Sequence, residues 1–213
     1  MLEISAVHVT IASVQALRGF SLEVPAGSMV GLVGRNGAGK TSLMRAIMGH
    51  LPARSGQVRL DGADLANKPR HARAALGVGY MPEDRGLVPE LTVEENILVP
   101  VWASNTLKAE ERLRFVYRAM PELEPMRERR ALLLSGGQQK LAALARALAV
   151  GTRLLLLDEP FEGLAPALAK RLSEVIAGLR GTGLAVLLSQ SDLNHSRSLL
   201  DREIVIERGA NRA

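Results

Sequence analysis

The chain has 213 residues, 47 % of them hydrophobic, which is enough for the core of one compact domain and argues against disorder. Aromatic residues make up only 3 %, so the core rests on aliphatic side chains, and recognition of nucleic-acid bases by ring stacking is disfavoured. The formal charge of +5 is modest enough to be a solvated basic surface, and the absence of cysteine excludes disulfides and thiolate metal sites.

No basic segment followed by an apolar one opens the sequence, so no signal peptide is expected. No apolar run approaches the roughly 20 residues that span a bilayer, so any membrane role is expected to run through a partner. In chain order, residues 2–9, 20–24 and 29–33 read as strands, the last two divided by the turn Pro25-Ala26-Gly27. A glycine-rich loop and a helix over 41–48 follow, then a short strand over 57–60 ended by Asp61-Gly62. Thr92-Val93-Glu94-Glu95 predicts a capping box with Thr92 as N-cap, opening a helix over 92–99, and 108–120 reads as a second helix. Pro121, Pro125 and the basic stretch 127–130 mark a connection, so roughly 89–133 is expected to form a helical subdomain. A helix over 135–150 leads to the apolar run 154–157, which suits a strand buried on both faces of a parallel sheet. Pro166 fits the first position of the next helix, and 185–189 and 204–207 read as the last strands. Strands alternating with helices predict an α/β fold with a parallel sheet.

Three motifs carry chemistry. Gly34-Arg35-Asn36-Gly37-Ala38-Gly39-Lys40-Thr41 fits the phosphate-loop pattern G-x-x-x-x-G-K-[ST], between an apolar strand and a helix as that pattern requires. Glycines let successive backbone N–H groups face one anion, and the helix that follows, with Ser42 in its first turn, presents its positive end. Lys40 reaches the β- and γ-phosphates, and the Thr41 hydroxyl suits Mg²⁺. The second motif, Asp158-Glu159, ends the buried strand 154–157 at the edge where open α/β sheets bind ligands. Beside a phosphate loop, Asp158 is expected to hold Mg²⁺ and Glu159 to act as general base or to polarise the attacking water. The third, Leu134-Ser135-Gly136-Gly137-Gln138, starts a helix with two poor helix formers, which suits close approach of backbone N–H groups to an anion. An ordinary serine N-cap is the plainer reading.

The three motifs in this order, over nearly the whole chain, resemble the nucleotide-binding subunits of ABC transporters. The resemblance implies a P-loop NTPase (ABC ATPase) core with a parallel sheet, an N-terminal antiparallel β region and a helical subdomain. It makes residues 1–213 a single ABC ATPase domain, with 1–88 and 134–213 as catalytic core and 89–133 as helical subdomain. In that family two subunits pack head to tail with ATP between one phosphate loop and the partner's signature helix. Carried over, Ser135, Gly136, Gly137 and Gln138 contact the other protomer's γ-phosphate. The family implies ATP and Mg²⁺ as cofactors, a second ATPase subunit, same or different, and permease subunits. It also implies a place on the cytoplasmic face of the membrane and, for an importer, a solute-binding protein; nucleic acid is not expected as a partner.

Tyr80-Met81-Pro82-Glu83-Asp84-Arg85, Leu91-Thr92-Val93-Glu94-Glu95-Asn96 and Gly163-Leu164-Ala165-Pro166 resemble the ATPases of branched-chain amino acid and related urea or amide importers. Four positions depart from the general family pattern. Glu83 stands where most members carry a Mg²⁺-touching glutamine, and Gln190 where most carry the γ-phosphate histidine; both replacements resemble those of the branched-chain subunits. Gln190 retains a hydrogen-bond donor but cannot titrate near neutral pH. Ile11 falls where an aromatic ring usually meets adenine, and Phe161 replaces the usual serine after Asp158-Glu159-Pro160. His8, His50, His71 and His195 show no metal-ligand spacing, Arg127 to Arg130 read as a solvated connection, and Trp102 as subdomain packing or a partner-facing residue. Two rival readings stay open. A non-transport ABC ATPase acting on nucleic acid or ribosomes is disfavoured because no heptads run between Thr41 and Ser135. A weakly hydrolysing partner subunit is favoured by the four departures and opposed by intact Lys40, Asp158 and Glu159.

Overall fold

The computed structural model describes residues 1–192 and 196–212. His195 lies outside them. Its centre is a six-stranded sheet built from β3 (Met29–Val33), β6 (Val78–Met81), β7 (Leu154–Asp158), β8 (Ala185–Gln190), β9 (Arg202–Glu207) and β10 (Ala210–Asn211), in the order β10-β9-β3-β8-β7-β6. All neighbours run parallel except the terminal β9–β10 pair. A second, antiparallel sheet in the order β2-β1-β4-β5 comprises β1 (Leu2–Ile11), β2 (Val14–Val24), β4 (Ser55–Leu60) and β5 (Ala63–Asp64).

The strand period sorts the central strands between two cores. Leu154 and Leu156 of β7, with Ala185 and Leu187 of β8, pack towards the antiparallel sheet and α1 (Lys40–Ile47). Leu155, Leu157, Val186 and Leu188 face the opposite way. There they meet α3 (Val93–Trp102), α4 (Ala109–Ala119), α5 (Gly136–Val150) and α6 (Pro166–Ala177). Both faces are covered, which is why these strands read as continuous apolar runs. Each fully buried leucine is worth about 1.5–3 kcal/mol.

The expected α/β class, parallel sheet, antiparallel N-terminal region and helices are all present. Differences have local causes. β2 begins at Val14, six residues before the expected start, because Gly19 (φ +70°) and a series of register shifts against β1 break the alternation. α3 runs past Pro100, which forfeits one helical hydrogen bond, to an exposed Trp102 (56 % accessible). Its capping box forms as expected: Glu95 N donates to Thr92 Oγ1 (3.1 Å) and Thr92 N to Glu95 Oε2 (2.8 Å). The basic stretch 127–130 is exposed, and its backbone caps α3, where Val93 N donates to the Arg129 carbonyl (3.0 Å) and Glu94 N to that of Arg127 (3.1 Å). The Asn96 side chain is buried and bonds the backbone of Val88, Leu91 and Thr92, holding the loop before α3.

The one-turn helix α2 (Ala72–Ala75) and β6 were not foreseen. β6 hides because Gly79 interrupts its apolar pattern, and glycine is required there by packing. A Cβ at Gly79 would stand 2.1 Å from the Ala147 carbonyl oxygen of α5. Gly79→Ala is therefore expected to destabilise the fold by about 1–3 kcal/mol through overpacking against backbone. A denaturation midpoint unchanged from that of the parent would contradict this packing.

Candidate active site

Gly34 to Gly39 of the phosphate loop lie between β3 and α1, and Lys40 and Thr41 open α1. Gly39 precedes the helix at φ +111°, a backbone region that disfavours side chains, and a Cβ there would come within 2.7 Å of the Ala16 carbonyl oxygen. Gly34 N donates to the Gln190 carbonyl (3.1 Å) and Ala38 N to that of Arg35 (3.0 Å), which anchors the loop to the end of β8 and closes its turn. α1 carries no acidic residue in its first turn, leaving its positive end uncompensated by side chains.

Parallel pairing carries the next groups to the same edge. β7 ends at Asp158 beside Ser189 of β8. Asp158 is fully buried; its Oδ1 accepts from Ser189 Oγ (2.5 Å), whereas Oδ2 is buried without a hydrogen-bond partner. Burial raises the Asp158 carboxyl above its ordinary value, against the Ser189 and Thr41 hydroxyls, which lower it; the Glu159 charge raises it further and Lys40 lowers it.

Glu159 adopts φ +46°, a conformation that costs a non-glycine residue of order 1–3 kcal/mol. Its N–H donates to both the carbonyl and the hydroxyl of Ser189 (each 3.2 Å), and its Oε1 accepts from Ser191 Oγ (3.1 Å). The same Oε1 pairs with Lys40 Nζ at 3.1 Å, both side chains nearly inaccessible. Lys40 Nζ also donates to the carbonyls of Gly34 (2.5 Å) and Arg35 (3.1 Å). An ammonium at the foot of the loop thus stands between loop and carboxylate.

A cleft of about 540 Å³ opens over these groups. Asn36, Gly37, Gly39, Lys40, Thr41, Ser42, Glu83 and Glu159 of the predicted site line it. Gly34, Arg35 and Ala38 line an adjoining hollow with Ser191. Asp158 is sealed beneath. Glu83 is an exposed residue of the wall; partial burial, then the charges of Asp158, Glu162 and Glu159, raise its carboxyl pKa, and Lys40 lowers it. Gln190 does not line the cleft: its side chain is buried, and its Oε1 accepts from the Ser196 hydroxyl.

Ser135, Gly136, Gly137 and Gln138 do not line the cleft either. They form the first turn of α5, where Gln138 N donates to Ser135 Oγ (3.3 Å) and Ser135 N to Gln138 Oε1 (3.0 Å). Ile11 is 44 % exposed and absent from the cleft wall; its hairpin partner Val14, with Gln15, Ala16 and Arg18, takes that place. Phe161 packs in the helix-side core. Arg208, on the β9–β10 turn, also reaches the cleft and escaped sequence reading, its one signal being the Arg208-Gly209 turn pair after a strand. Among the described residues no three His, Cys, Asp or Glu side chains converge on a metal-sized site.

Residues 17–162 match the family described as ABC transporter. The chain belongs to the ABC transporter family. As an ABC ATPase it binds and hydrolyses ATP to drive transport, and none of its described helices is long and apolar enough to cross a membrane. It is 36 % identical to the high-affinity branched-chain amino acid transport ATP-binding protein BraG of Pseudomonas aeruginosa, over 98 % of this chain and 90 % of BraG. It is 34 % identical to the lipopolysaccharide export system ATP-binding protein LptB of Escherichia coli, over 89 % of this chain and 79 % of LptB. Its fold superposes with TM-score 0.83 on the ADP conformation of MJ1267, an ATP-binding cassette of an ABC transporter, at 27 % identity, covering 100 % of this chain and 89 % of that one.

The buried Asp158 carboxylate sets a pH dependence for this ABC ATPase. A folded-state pKa above the ordinary 3.8 means that the folded form keeps its proton longer. The stability tied to this group is therefore complete below the unfolded value and is lost as pH rises through the folded one. Asp158→Asn is expected to raise the Tm of the nucleotide-free protein at neutral pH and to flatten its decline with rising pH. Thermal unfolding that shows an equal or lower Tm for the variant at neutral pH would contradict this.

Proposed function

We propose that this ABC ATPase powers a branched-chain amino acid-type importer. In this reading two ATPase subunits close head to tail around ATP on the cytoplasmic face of a membrane and reopen after hydrolysis. Permease subunits convert that motion into solute movement, and a solute-binding protein delivers the cargo. The observation that carries the hydrolytic part is the Lys40–Glu159 pair over buried Asp158, on the wall of the cleft lined by the phosphate loop.

In this reading the loop amides, the positive end of α1 and Lys40 neutralise the phosphates. Thr41, Asp158 and Glu83 are the residues that would hold Mg²⁺. The unpartnered Oδ2 of Asp158 supports this, and so does the sparse donor set, since Mg²⁺ is usually bound by one or two carboxylates with phosphate and water completing its shell. The metal supplies charge stabilisation at the phosphates. Glu159 accepts a proton from the attacking water or polarises it. Gln190 supports the loop through its carbonyl bond to Gly34 N. Ser135 Oγ accepts from Gln138 N and keeps its own hydrogen for a phosphate oxygen of the second subunit's nucleotide. Residues 89–133 serve as the helical subdomain. Exposed Val99 and Trp102, near the end of α3, are taken as part of the face that meets the permease.

The importer assignment rests on the BraG similarity and on the segments 80–85, 91–96 and 163–166. Similarity to LptB at 34 % identity favours an exporter as the second reading. Glu159→Gln is expected to slow ATP hydrolysis by about 10²–10⁴-fold while nucleotide still binds, the range of a lost general base. Gel filtration should then show a dimer that persists in ATP. Hydrolysis at the parent rate would remove Glu159 from the base role.

A further inference from the structure

Lys140 is a buried cation that the catalytic reading leaves without a task. It lies on α5 just after the Ser135–Gln138 turn, and its Nζ donates to the carbonyls of Glu159 (3.0 Å) and Glu162 (2.5 Å). The Glu159 carbonyl also accepts from Glu162 N (3.2 Å), so the ammonium closes a tight turn around the residue whose backbone sits at φ +46°. Desolvation lowers the Lys140 pKa, and the charges of Glu162, Glu159 and Glu83 oppose that. Its sequence neighbour Gln139 accepts from Arg85 Nη1 (2.6 Å), and Arg146 on the same helix donates to the carbonyls of Arg85 (2.7 Å) and Gly86 (2.5 Å). One helix therefore holds both the turn bearing Glu159 and the loop bearing Glu83.

We propose that Lys140 is a positioning residue for hydrolysis, its grip on the Glu159 and Glu162 carbonyls setting where the Glu159 carboxylate stands and tying it to the start of α5. The proposal rests on the reading of Glu159 as base and of the α5 start as the contact to a second subunit's nucleotide. Under that reading, each subunit's base is held by the helix that serves the other subunit's ATP. Seating of the α5 start on the partner's nucleotide is then felt at Glu159 through Lys140. An ammonium suits this task because its three donors can serve two carbonyls at once, as can a guanidinium, whereas a thioether has none.

The test measures ATP turnover of the full chain against ATP concentration, with ADP affinity and Tm in parallel, for Lys140→Met, Lys140→Gln, Lys140→Arg and Glu159→Gln. Lys140→Met is expected to lower kcat at least tenfold with KM for ATP and ADP affinity within twofold of the parent, and Lys140→Arg to recover at least a third of the lost turnover. In the Glu159→Gln background, Lys140→Met should slow the residual turnover no further than twofold. If Lys140→Met does not fold, Lys140→Gln carries the same expectation, because its amide nitrogen ends one bond short of the ammonium and is uncharged. Turnover of Lys140→Met within twofold of the parent, a loss that appears in KM, no recovery with arginine, or further slowing in the Glu159→Gln background overturns the positioning role. Parent-like turnover by Glu159→Gln instead overturns the base reading, so the two failures are told apart.

Discussion

At the C-terminal end of β7 two carboxylates meet one ammonium, Asp158 sealed from solvent and Glu159 and Lys40 nearly so at the cleft wall. Asp158 has an oxygen with no partner, Glu159 is held at a positive φ, and Lys40 bridges Glu159 to the phosphate-loop carbonyls. Few arrangements cost a fold more, because buried charge is stabilised only by well-placed partners. The surrounding architecture can be understood as what it takes to hold that edge: parallel neighbours on both sides of β7, a hydroxyl from β8 on Asp158 Oδ1, and apolar layers on both faces of the sheet.

The helix-side layer has a second role. α5 packs close enough to β6 that only glycine fits at position 79, and its polar face reaches forward to the loops carrying Glu83 and Glu159. Its first turn, with Ser135 capping and the two glycines beside it, lies outside the cleft formed by the phosphate loop. A single chain thus presents two separate polar surfaces, one built around Lys40 and one around Ser135. In the proposed reading, a second subunit brings the two together at one nucleotide.

The departures from the family pattern have unequal structural weight. Glu83 keeps a carboxylate at the cleft wall, and Phe161 adds to the helix-side core. Gln190 gives its backbone carbonyl to the phosphate loop and its side-chain oxygen to Ser196, and it does not line the cleft. Ile11 falls outside the cleft wall, to which Val14, Gln15, Arg18 and Arg208 contribute.

The sequence by itself determined the α/β class, the phosphate loop, the buried strand ending in Asp158-Glu159 and the capped starts of α3 and α5. Each is a local pattern whose meaning depends on residues a few positions apart. Period, turn chemistry and the conformational needs of glycine act at that range. Tertiary structure decided what distant segments do to one another. Gly79 reads as a strand breaker until α5 lies against it, and the ordinary sequence position of Lys140 gives no sign of the Glu159 and Glu162 carbonyls 19 and 22 residues away. Val14, paired with Ile11 across the first hairpin, lines the cleft where Ile11 does not, and Arg208 arrives only when the last hairpin folds back. Hydrogen bonds and excluded volume between segments far apart in the chain leave no periodic trace, so they become visible only once the sheet has brought its strands together.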